Sequence, residues 1–203
     1  MDFIILAAGT SSRLPAANKL LLPFEDEPLC LHSIRQALEA SSTLGGKVTI
    51  VTGHQSGKVR RLLTSYSLEH RENLRFAYNQ NYIFGQFSST KVGLKAIQPD
   101  SPFFICVGDL PLITADHYLK LAPLLKGHDA VRPFYGTRPG HPVLLASRLR
   151  QSLISMPDSQ SVRGLLDDCD VLELHTDDPA WTTDIDTWEQ YEKISDTVQP
   201  ANS

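Results

Sequence analysis

An apolar run near the start of the chain leads straight into a small polar loop, and this junction constrains the fold most. Residues 3–8 read Phe-Ile-Ile-Leu-Ala-Ala, a continuous apolar segment typical of a strand buried on both faces. Gly9 follows, and a glycine permits positive φ and close approach of a ligand to the backbone. The loop up to Lys19 adds hydroxyl side chains and one arginine. Backbone N–H donors, a guanidinium and an ammonium group together suit a triphosphate.

Strand-like and helix-like segments alternate along the chain at short spacing. We expect strands near residues 2–8, 47–52, 74–78, 103–107 and 129–133, and helices near residues 29–42, 56–66, 88–97 and 115–125. Such alternation is typical of βαβ units in a mostly parallel sheet. Beyond residue 134 the pattern loosens, and we expect partly antiparallel strands near residues 141–147 and 170–175 and a last helix near residues 187–194.

Length and composition predict one α/β domain. The 203 residues, 41% of them hydrophobic, are enough for a substantial core. We expect that domain over residues 1–195 and a disordered, polar tail over residues 196–203. The net charge of -4 argues against nucleic acid as a partner. No apolar run approaches the roughly 20 residues that span a bilayer, so we expect no membrane partner.

The cysteines and the first residues predict a cytoplasmic protein. Cys30, Cys106 and Cys169 are odd in number and have no CxxC spacing, which argues against a disulfide scaffold or a structural zinc site. The first residues lack the basic region of a signal peptide. Both observations fit a reducing cytoplasm.

A second polar loop, Gly108-Asp109-Leu110-Pro111, follows the fourth predicted strand. Ligands of open parallel sheets lie beyond the carboxyl ends of the strands, so Asp109 is expected beside the Gly9 loop. A carboxylate next to a triphosphate is a natural Mg²⁺ ligand. The position of Asp109 is equally consistent with a turn residue or a helix-capping residue before Pro111.

Three further segments each have a functional and a structural interpretation. Alternation in Asp184-Ile185-Asp186 places both carboxylates on one face, where they could share a site with Asp109, or Asp186 could cap the last helix. His141 lies in a stiff Pro-Gly-His-Pro turn and is either a substrate ligand or a hydrogen-bonded structural histidine. The loop of residues 79–89 opens a helix and is either an anion site or an ordinary capped loop.

Together, these motifs resemble the MobA-like nucleotidyltransferases, and most of all their molybdenum cofactor cytidylyltransferase group. The matching motifs, in family order over residues 3–192, are Leu6-Ala7-Ala8-Gly9-Thr10-Ser11-Ser12-Arg13 with Lys19, the loop of Asn79, Gly85, Ser88 and Ser89, Gly108-Asp109-Leu110-Pro111, Gly140-His141-Pro142-Val143, and Asp184-Ile185-Asp186-Thr187. The last two motifs narrow the resemblance to the cytidylyltransferase group.

The resemblance implies a fold and a reaction. The fold is a Rossmann-like three-layer α/β/α domain of the nucleotide-diphospho-sugar transferase type, with a mostly parallel central sheet. The reaction moves CMP from CTP to a phosphorylated acceptor, molybdopterin or molybdenum cofactor, with Mg²⁺ and with release of pyrophosphate. A molybdoenzyme or its chaperone is a further implied partner. The Ala-Ala-Gly form of the first loop resembles CTP-using relatives, whereas GTP-using relatives read Ala-Gly-Gly.

Motif matching also implies roles for individual residues. Those implied to bind the nucleotide are Leu6, Ala7, Ala8, Gly9, Thr10, Ser11, Ser12, Arg13, Lys19, Asn79, Ser88 and Gly108. The implied catalytic residues are Arg13, Lys19 and Asp109, the metal ligands Asp109 and Asp186, and the acceptor-binding residues Gly140 and His141.

Other functions stay open on the sequence. The chain could use GTP or another phosphorylated acceptor. It could also be a non-catalytic carrier of molybdenum cofactor, because Leu14-Pro15 replaces the Met-Gly of the family and Pro15 cannot adopt a positive φ. A dinucleotide-dependent dehydrogenase is disfavoured, since no GxGxxG follows the first strand.

Overall fold

The computed structural model describes residues 1–10, 18–66, 68 and 71–198. Its strands are β1 (Asp2–Ala7), β2 (Pro23–Phe24), β3 (Glu27–Pro28), β4 (Val48–Thr52), β5 (Leu74–Tyr78), β6 (Phe103–Val107), β7 (Ala130–Tyr135), β8 (Arg138–Pro139), β9 (Val143–Leu145) and β10 (Val171–Thr176). Its α-helices are α1 (Leu29–Leu44), α2 (Ser56–Ser65), α3 (Gln86–Ala96), α4 (Ala115–Leu121), α5 (Leu149–Ser155), α6 (Val162–Leu166) and α7 (Trp188–Val198). Short 3-10 helices cover Lys19–Leu21, Tyr82–Phe84, Ala122–Leu125 and Pro179–Thr182.

Eight of the strands form one mostly parallel sheet, as predicted. The order is β10-β7-β9-β6-β1-β4-β5, and β8 pairs with β7 outside this path. β9 runs antiparallel to both of its neighbours, whereas β10 is parallel to β7, so only the first of the two late strands is antiparallel. The hairpin of β2 and β3 and the short helices α5 and α6 were not predicted.

Helices cover both faces of the sheet, which gives three layers. Successive side chains of β1 point to opposite faces: Phe3 and Ile5 pack in the cluster of α1 and α4, and Ile4 and Leu6 in the cluster of α3, α5 and α6. All four side chains are buried. Each such burial is worth about 2 kcal/mol, so β1 anchors the domain from both sides.

The direction in which the chain builds the sheet reverses at β1. From β1 it moves outward through α1 to β4 and then through α2 to β5, before α3 returns it to β6 on the other side of β1. Such a reversal opens a crevice beyond the carboxyl ends of the two central strands. The loops after β1 and β6, which contain Gly9 and Asp109, therefore meet there.

The helix ends agree in part with expectation. Thr114 caps α4 in a reciprocal arrangement with His117. α7 reaches Val198, beyond the helix end expected near residue 194, and residues 199–203 of the expected tail lie outside the described residues. Ile194 of α7 packs against Phe24, Leu29 and Ile185. Within the described part of the chain, no helix combines the length and the apolar character needed to cross a membrane.

Candidate active site

A cavity of about 530 Å³ occupies the crevice beyond β1 and β6. Its walls are the start of the Gly9 loop, Lys19, the segment after β6, residues 138–141 and residues 181–186. Backbone hydrogen bonds hold these segments together. The N–H of Ile185 donates to the carbonyl of Asp109 at 3.3 Å, and that of His141 to the carbonyl of Trp181 at 2.9 Å.

Lys19 lies between two carboxylates in the lining of the cavity. Its Nζ contacts Asp109 Oδ2 and lies 2.6 Å from Asp186 Oδ1. The side-chain oxygen of Asn18 accepts from the N–H of Leu20 at 3.1 Å and so fixes the turn that presents Lys19. Buried Ile185 separates Asp184 from Asp186, and both carboxylates line the cavity as the alternation predicted.

The charges of this cluster are mutually dependent. Burial lowers the pKa of Lys19, but Asp109 and Asp186 together raise it above its usual value. Burial raises the pKa of Asp184, and the charges of Asp186 and Asp109 raise it further. Three carboxylates around one ammonium group create a negative field that favours an additional cation.

The arrangement fits a divalent cation that is completed by substrate. Asp109 Oδ1 is buried and has no hydrogen-bond partner among the described residues, although a carboxylate oxygen in such a position needs one. Among residues 1–10, 18–66, 68 and 71–198, no group of three or more His, Cys, Asp or Glu side chains is arranged to hold a metal ion. Mg²⁺ commonly takes only one or two carboxylates and fills its other positions with phosphate oxygens and water.

His141 and Gly140 form another part of the cavity wall. The Nδ1 of His141 donates to the carbonyl of Ile105 at 3.3 Å. Gly140 approaches the 3-10 helix Pro179–Thr182 so closely that an added Cβ would lie 2.5 Å from the carbonyl oxygen of Trp181. Burial lowers the pKa of His141, the bond to Ile105 opposes this, and the charge of Arg132 adds to it. A neutral imidazole is therefore favoured in the folded chain.

This lowered pKa predicts a pH dependence of stability. Below pH 6.5, the ordinary pKa of histidine, His141 is protonated in the unfolded chain. The folded chain disfavours that proton, so protonation favours unfolding. Stability should therefore fall as the pH decreases from 6.5, by at most about 1.4 kcal/mol per pH unit from this group. We expect His141→Asn to flatten that slope in denaturation curves between about pH 5 and 7. The control is His175→Asn at an exposed position; an equal flattening there would contradict the assignment.

Asn79 organises the loop before α3 from below the cavity surface. Its buried amide nitrogen donates to the hydroxyls of Ser88 at 2.8 Å and Ser89 at 2.9 Å. Its amide oxygen accepts from the N–H of Asn81 at 2.9 Å. Ser89 lines the cavity, whereas Asn79 and Ser88 do not. Asn79 thus positions the loop, and in the described structure its side chain does not line the cavity.

Removal of this amide should destabilise the domain. Asn79→Ala leaves the N–H of Asn81 without its acceptor, and a lost buried hydrogen bond of this kind costs about 1–3 kcal/mol. We expect a lower midpoint of urea unfolding. Asn81→Ala, at the exposed position two residues on, is the matched control and should leave the free energy of unfolding within about 0.5 kcal/mol of wild type. Equal midpoints for the two variants would rule out a stabilising role of the Asn79 amide.

The structure brings together most of the residues that the sequence indicated. Those that line the cavity are Leu6, Ala8, Gly9, Thr10, Lys19, Asp109, Asp186, Gly140 and His141. Ala7, Asn79, Ser88 and Gly108 are not part of its lining. Ser11, Ser12, Arg13 and Pro15 lie outside the described residues.

Some lining residues were not singled out in the sequence interpretation. Tyr82 and Trp181 are two of them, and both line the cavity. Trp181 lies in the 3-10 helix that Asp178 caps by accepting from the N–H of Ala180 at 2.9 Å. The Asp-Pro pair at residues 178–179 is a helix-start signal that would have located this segment.

With this geometry in view, comparison with known proteins identifies the class. Residues 3–175 match the MobA-like NTP transferase domain, so the chain belongs to that family and is a nucleotidyltransferase. It is 29% identical over 187 residues to the molybdenum cofactor cytidylyltransferase of Escherichia coli K12, across 92% of this chain and 91% of the relative. The family resemblance predicted from the motifs is confirmed.

Solved structures show the same fold. The structure of Rv0371c from Mycobacterium tuberculosis matches with a TM-score of 0.80 at 21% identity, across 98% of this chain and 99% of that one. A second structure of Rv0371c, in complex with manganese, has a TM-score of 0.75 at 20% identity, with 97% and 98% covered. A nucleotidyl transferase from Methanothermobacter thermautotrophicus matches at 0.80 and 20% identity, with 97% and 96% covered. The predicted three-layer fold is confirmed.

Proposed function

We propose that the chain transfers CMP from CTP to a phosphorylated acceptor, molybdopterin or molybdenum cofactor, with Mg²⁺. The observation that carries this proposal is the cluster of Lys19, Asp109 and Asp186 at the reversal of the sheet. The similarity to the Escherichia coli cytidylyltransferase over nearly its whole length supports the choice of nucleotide and acceptor. The three unpaired cysteines support a reducing compartment, the cytoplasm.

The reaction is an in-line displacement at phosphorus. An oxygen of the acceptor phosphate forms a bond to the α-phosphorus of CTP while the bond to the bridging oxygen of pyrophosphate breaks, and pyrophosphate leaves with that electron pair. A phosphate monoester is already anionic near neutral pH, so the nucleophile needs no strong base. The cavity therefore acts by positioning the two substrates and by offsetting their negative charges.

Each side of the cavity has its own part in this reaction. Gly9 and Thr10 lie where backbone N–H groups can face the triphosphate. Lys19, freed from the carboxylates when substrate binds, neutralises the departing pyrophosphate. We propose the same role for Arg13, on the strength of the family resemblance. His141 and Gly140 also line the cavity, and we propose that the acceptor approaches along them.

Asp109 and Asp186 are the proposed ligands of the metal ion. The observation that supports this role is the buried Asp109 Oδ1, which has no hydrogen-bond partner in the described part of the chain, and the manganese complex of the structural relative is consistent with it. When bound, Mg²⁺ would supply positive charge at the α-phosphate. The protein's own part is to hold two carboxylates at fixed positions next to Lys19.

The test is pyrophosphate release with Mg²⁺, with CTP or GTP, and with molybdopterin or molybdenum cofactor as acceptor. We expect release that requires the acceptor, prefers CTP and stops when EDTA removes the metal. A preference for GTP would overturn the choice of nucleotide. Nucleotide binding without release would favour the carrier or another acceptor, and a panel of sugar phosphates and phospho-alcohols separates these two outcomes.

A further inference from the structure

A second, smaller cavity adjoins the first on the α3 side of the sheet. It encloses about 190 Å³, and Gln86 and His141 line both cavities. Pockets that hold a whole drug-sized ligand usually enclose about 300–1,000 Å³, so this one suits a single ring system of a larger molecule. A ligand in the main cavity that extends past Gln86 and His141 enters it.

Arg132, on β7, lines this smaller cavity and carries an unsatisfied donor. Its Nε is buried and has no hydrogen-bond partner among the described residues. Its Cζ lies 5.9 Å from the centroid of the Phe134 ring, a cation–π contact that stabilises the position of the guanidinium group. A buried N–H group without a partner is unfavourable, so a ligand that brings an acceptor atom to Arg132 would be bound favourably.

The charges around Arg132 indicate a neutral acceptor rather than an anion. Burial lowers the pKa of Arg132, and the positive charge of Arg163 lowers it further, while Asp167 and Glu173 act in the opposite direction. These two carboxylates already supply negative charge to the surroundings of the guanidinium group. What the described residues do not supply is an acceptor for the Nε–H, and an uncharged carbonyl oxygen can be that acceptor.

The other walls of the cavity suit a flat ring. Its apolar lining residues are Phe87, Ile105, Val143, Val162 and Leu166. Thr90 and Ser161 add hydroxyl groups, which can both donate and accept. A small inorganic anion would leave most of the apolar surface uncovered. A nitrogen heterocycle covers that surface with its faces and presents polar atoms at its edge.

The elements around the cavity associate it with the acceptor rather than with the nucleotide. Its lining residues come from β6, β7, β9, α3, α6 and the segments next to them, and among the described residues β1 contributes none. β1 is the strand that leads into the Gly9 loop, where we propose the triphosphate binds. His141, along which we propose the acceptor approaches, lines both cavities.

We propose that this cavity, the arginine pocket, binds the fused nitrogen heterocycle of the acceptor, with Arg132 donating to its ring carbonyl. The assignment rests on the proposed function: molybdopterin carries its only phosphate on one side and, at its far end, a pterin, an uncharged fused ring with one carbonyl group. The phosphate would lie in the main cavity while the pterin lies in the arginine pocket. The pocket would then select acceptors by their heterocycle.

Free pterin tests the pocket without any turnover. Crystals of the protein are soaked in pterin, and binding in solution is followed by the fluorescence of the ring. We expect the ring in the arginine pocket, with its carbonyl oxygen within hydrogen-bond distance of Arg132, and weaker binding of 2-aminopteridine, which lacks that carbonyl. Pterin that binds elsewhere or not at all, or equal affinity for 2-aminopteridine, would overturn the proposal.

A substitution of Arg132 separates the hydrogen bond from the charge. Arg132→Lys keeps the positive charge but removes the Nε donor, so we expect it to weaken pterin binding about 10- to 100-fold, the loss of one hydrogen bond from a charged donor. Arg61→Lys, at an exposed position on α2, is the matched control and should bind as wild type does. Thermal unfolding checks that both variants fold, and the comparison with 2-aminopteridine decides the matter if Arg132→Lys does not.

Two results would show that the pocket is an anion site and not a heterocycle site. One is wild-type affinity for pterin in folded Arg132→Lys, and the other is displacement of bound pterin by inorganic phosphate. Either would overturn the proposal.

Competition and kinetics test the assignment to the acceptor. CTP and the acceptor must be bound together for transfer, so CTP should leave pterin in place, and displacement of pterin by CTP would assign the pocket to the cytosine ring instead. In pyrophosphate release, Arg132→Lys should raise the KM for molybdopterin by the same factor with the KM for CTP unchanged. An unchanged acceptor KM would overturn the assignment. Pterin binding can be measured even if no acceptor supports release, so the pocket and the proposed function can fail separately.

Discussion

Asp109→Asn is expected to lower kcat by at least about 100-fold while the domain stays folded. Loss of one preorganised electrostatic contact to a transition state typically costs about 100- to 1,000-fold. Asparagine keeps the shape of the side chain but removes the charge that pairs with Lys19 and that we propose for the metal. Folding should change much less, because the substitution also removes one member of a crowded group of carboxylates.

The measurement is pyrophosphate release over a range of Mg²⁺ concentrations, together with thermal unfolding of the same samples. Asp100→Asn, at an exposed position remote from the cavity lining, is the control for the chemical change. Wild-type turnover of CTP by Asp109→Asn would contradict the metal assignment. A large loss of thermal stability would indicate that Asp109 acts chiefly in folding.

Gly140→Ala should produce a large loss of stability. The added methyl group would lie 2.5 Å from the carbonyl oxygen of Trp181 and 3.0 Å from its Cβ. The backbone of residues 139–141 must shift, which also strains the bond from the His141 N–H to the Trp181 carbonyl. Overpacking of this kind costs about 2 kcal/mol, or about 5 °C in Tm for a chain of this size.

Gly57→Ala is the matched control, because an added Cβ there meets nothing within 4 Å. Gly57 lies in α2, where alanine is favoured over glycine by about 0.5–1 kcal/mol, so its Tm should rise slightly. Calorimetric scans of the two variants should therefore move in opposite directions. If Gly140→Ala is as stable as wild type, the close approach to Trp181 does not hold in solution.

The centre of the sheet was predictable because β1 and β6 are almost continuous apolar runs. Residues 3–7 and 103–107 are buried along nearly their whole length, and their apolar sequences are typical of strands covered on both faces. The late part of the chain was harder to predict. β9 has only three residues and α6 only five, too few to show a period of two or of 3.6.

The site was predictable where a residue follows a central strand and not where it arrives from a distant loop. Asp109 directly follows β6, so topology alone places it in the crevice. Trp181 reaches the cavity through its contact with Gly140, about 40 positions earlier in the chain, which no local pattern encodes. Asn79 belongs to a matching motif, but its side chain is buried and bonded to Ser88 and does not line the cavity. A motif match alone therefore did not show that this polar side chain supports the loop.

The most direct test follows the α-phosphate of CTP. Protein, Mg²⁺, molybdenum cofactor and CTP labelled at the α-phosphate are incubated together, and the labelled products are separated. We predict that the label moves to the acceptor in an amount equal to the pyrophosphate released, and that Asp109→Asn abolishes both. Label that stays on CTP, or that is released as free CMP without a labelled acceptor, would contradict nucleotidyl transfer to this acceptor.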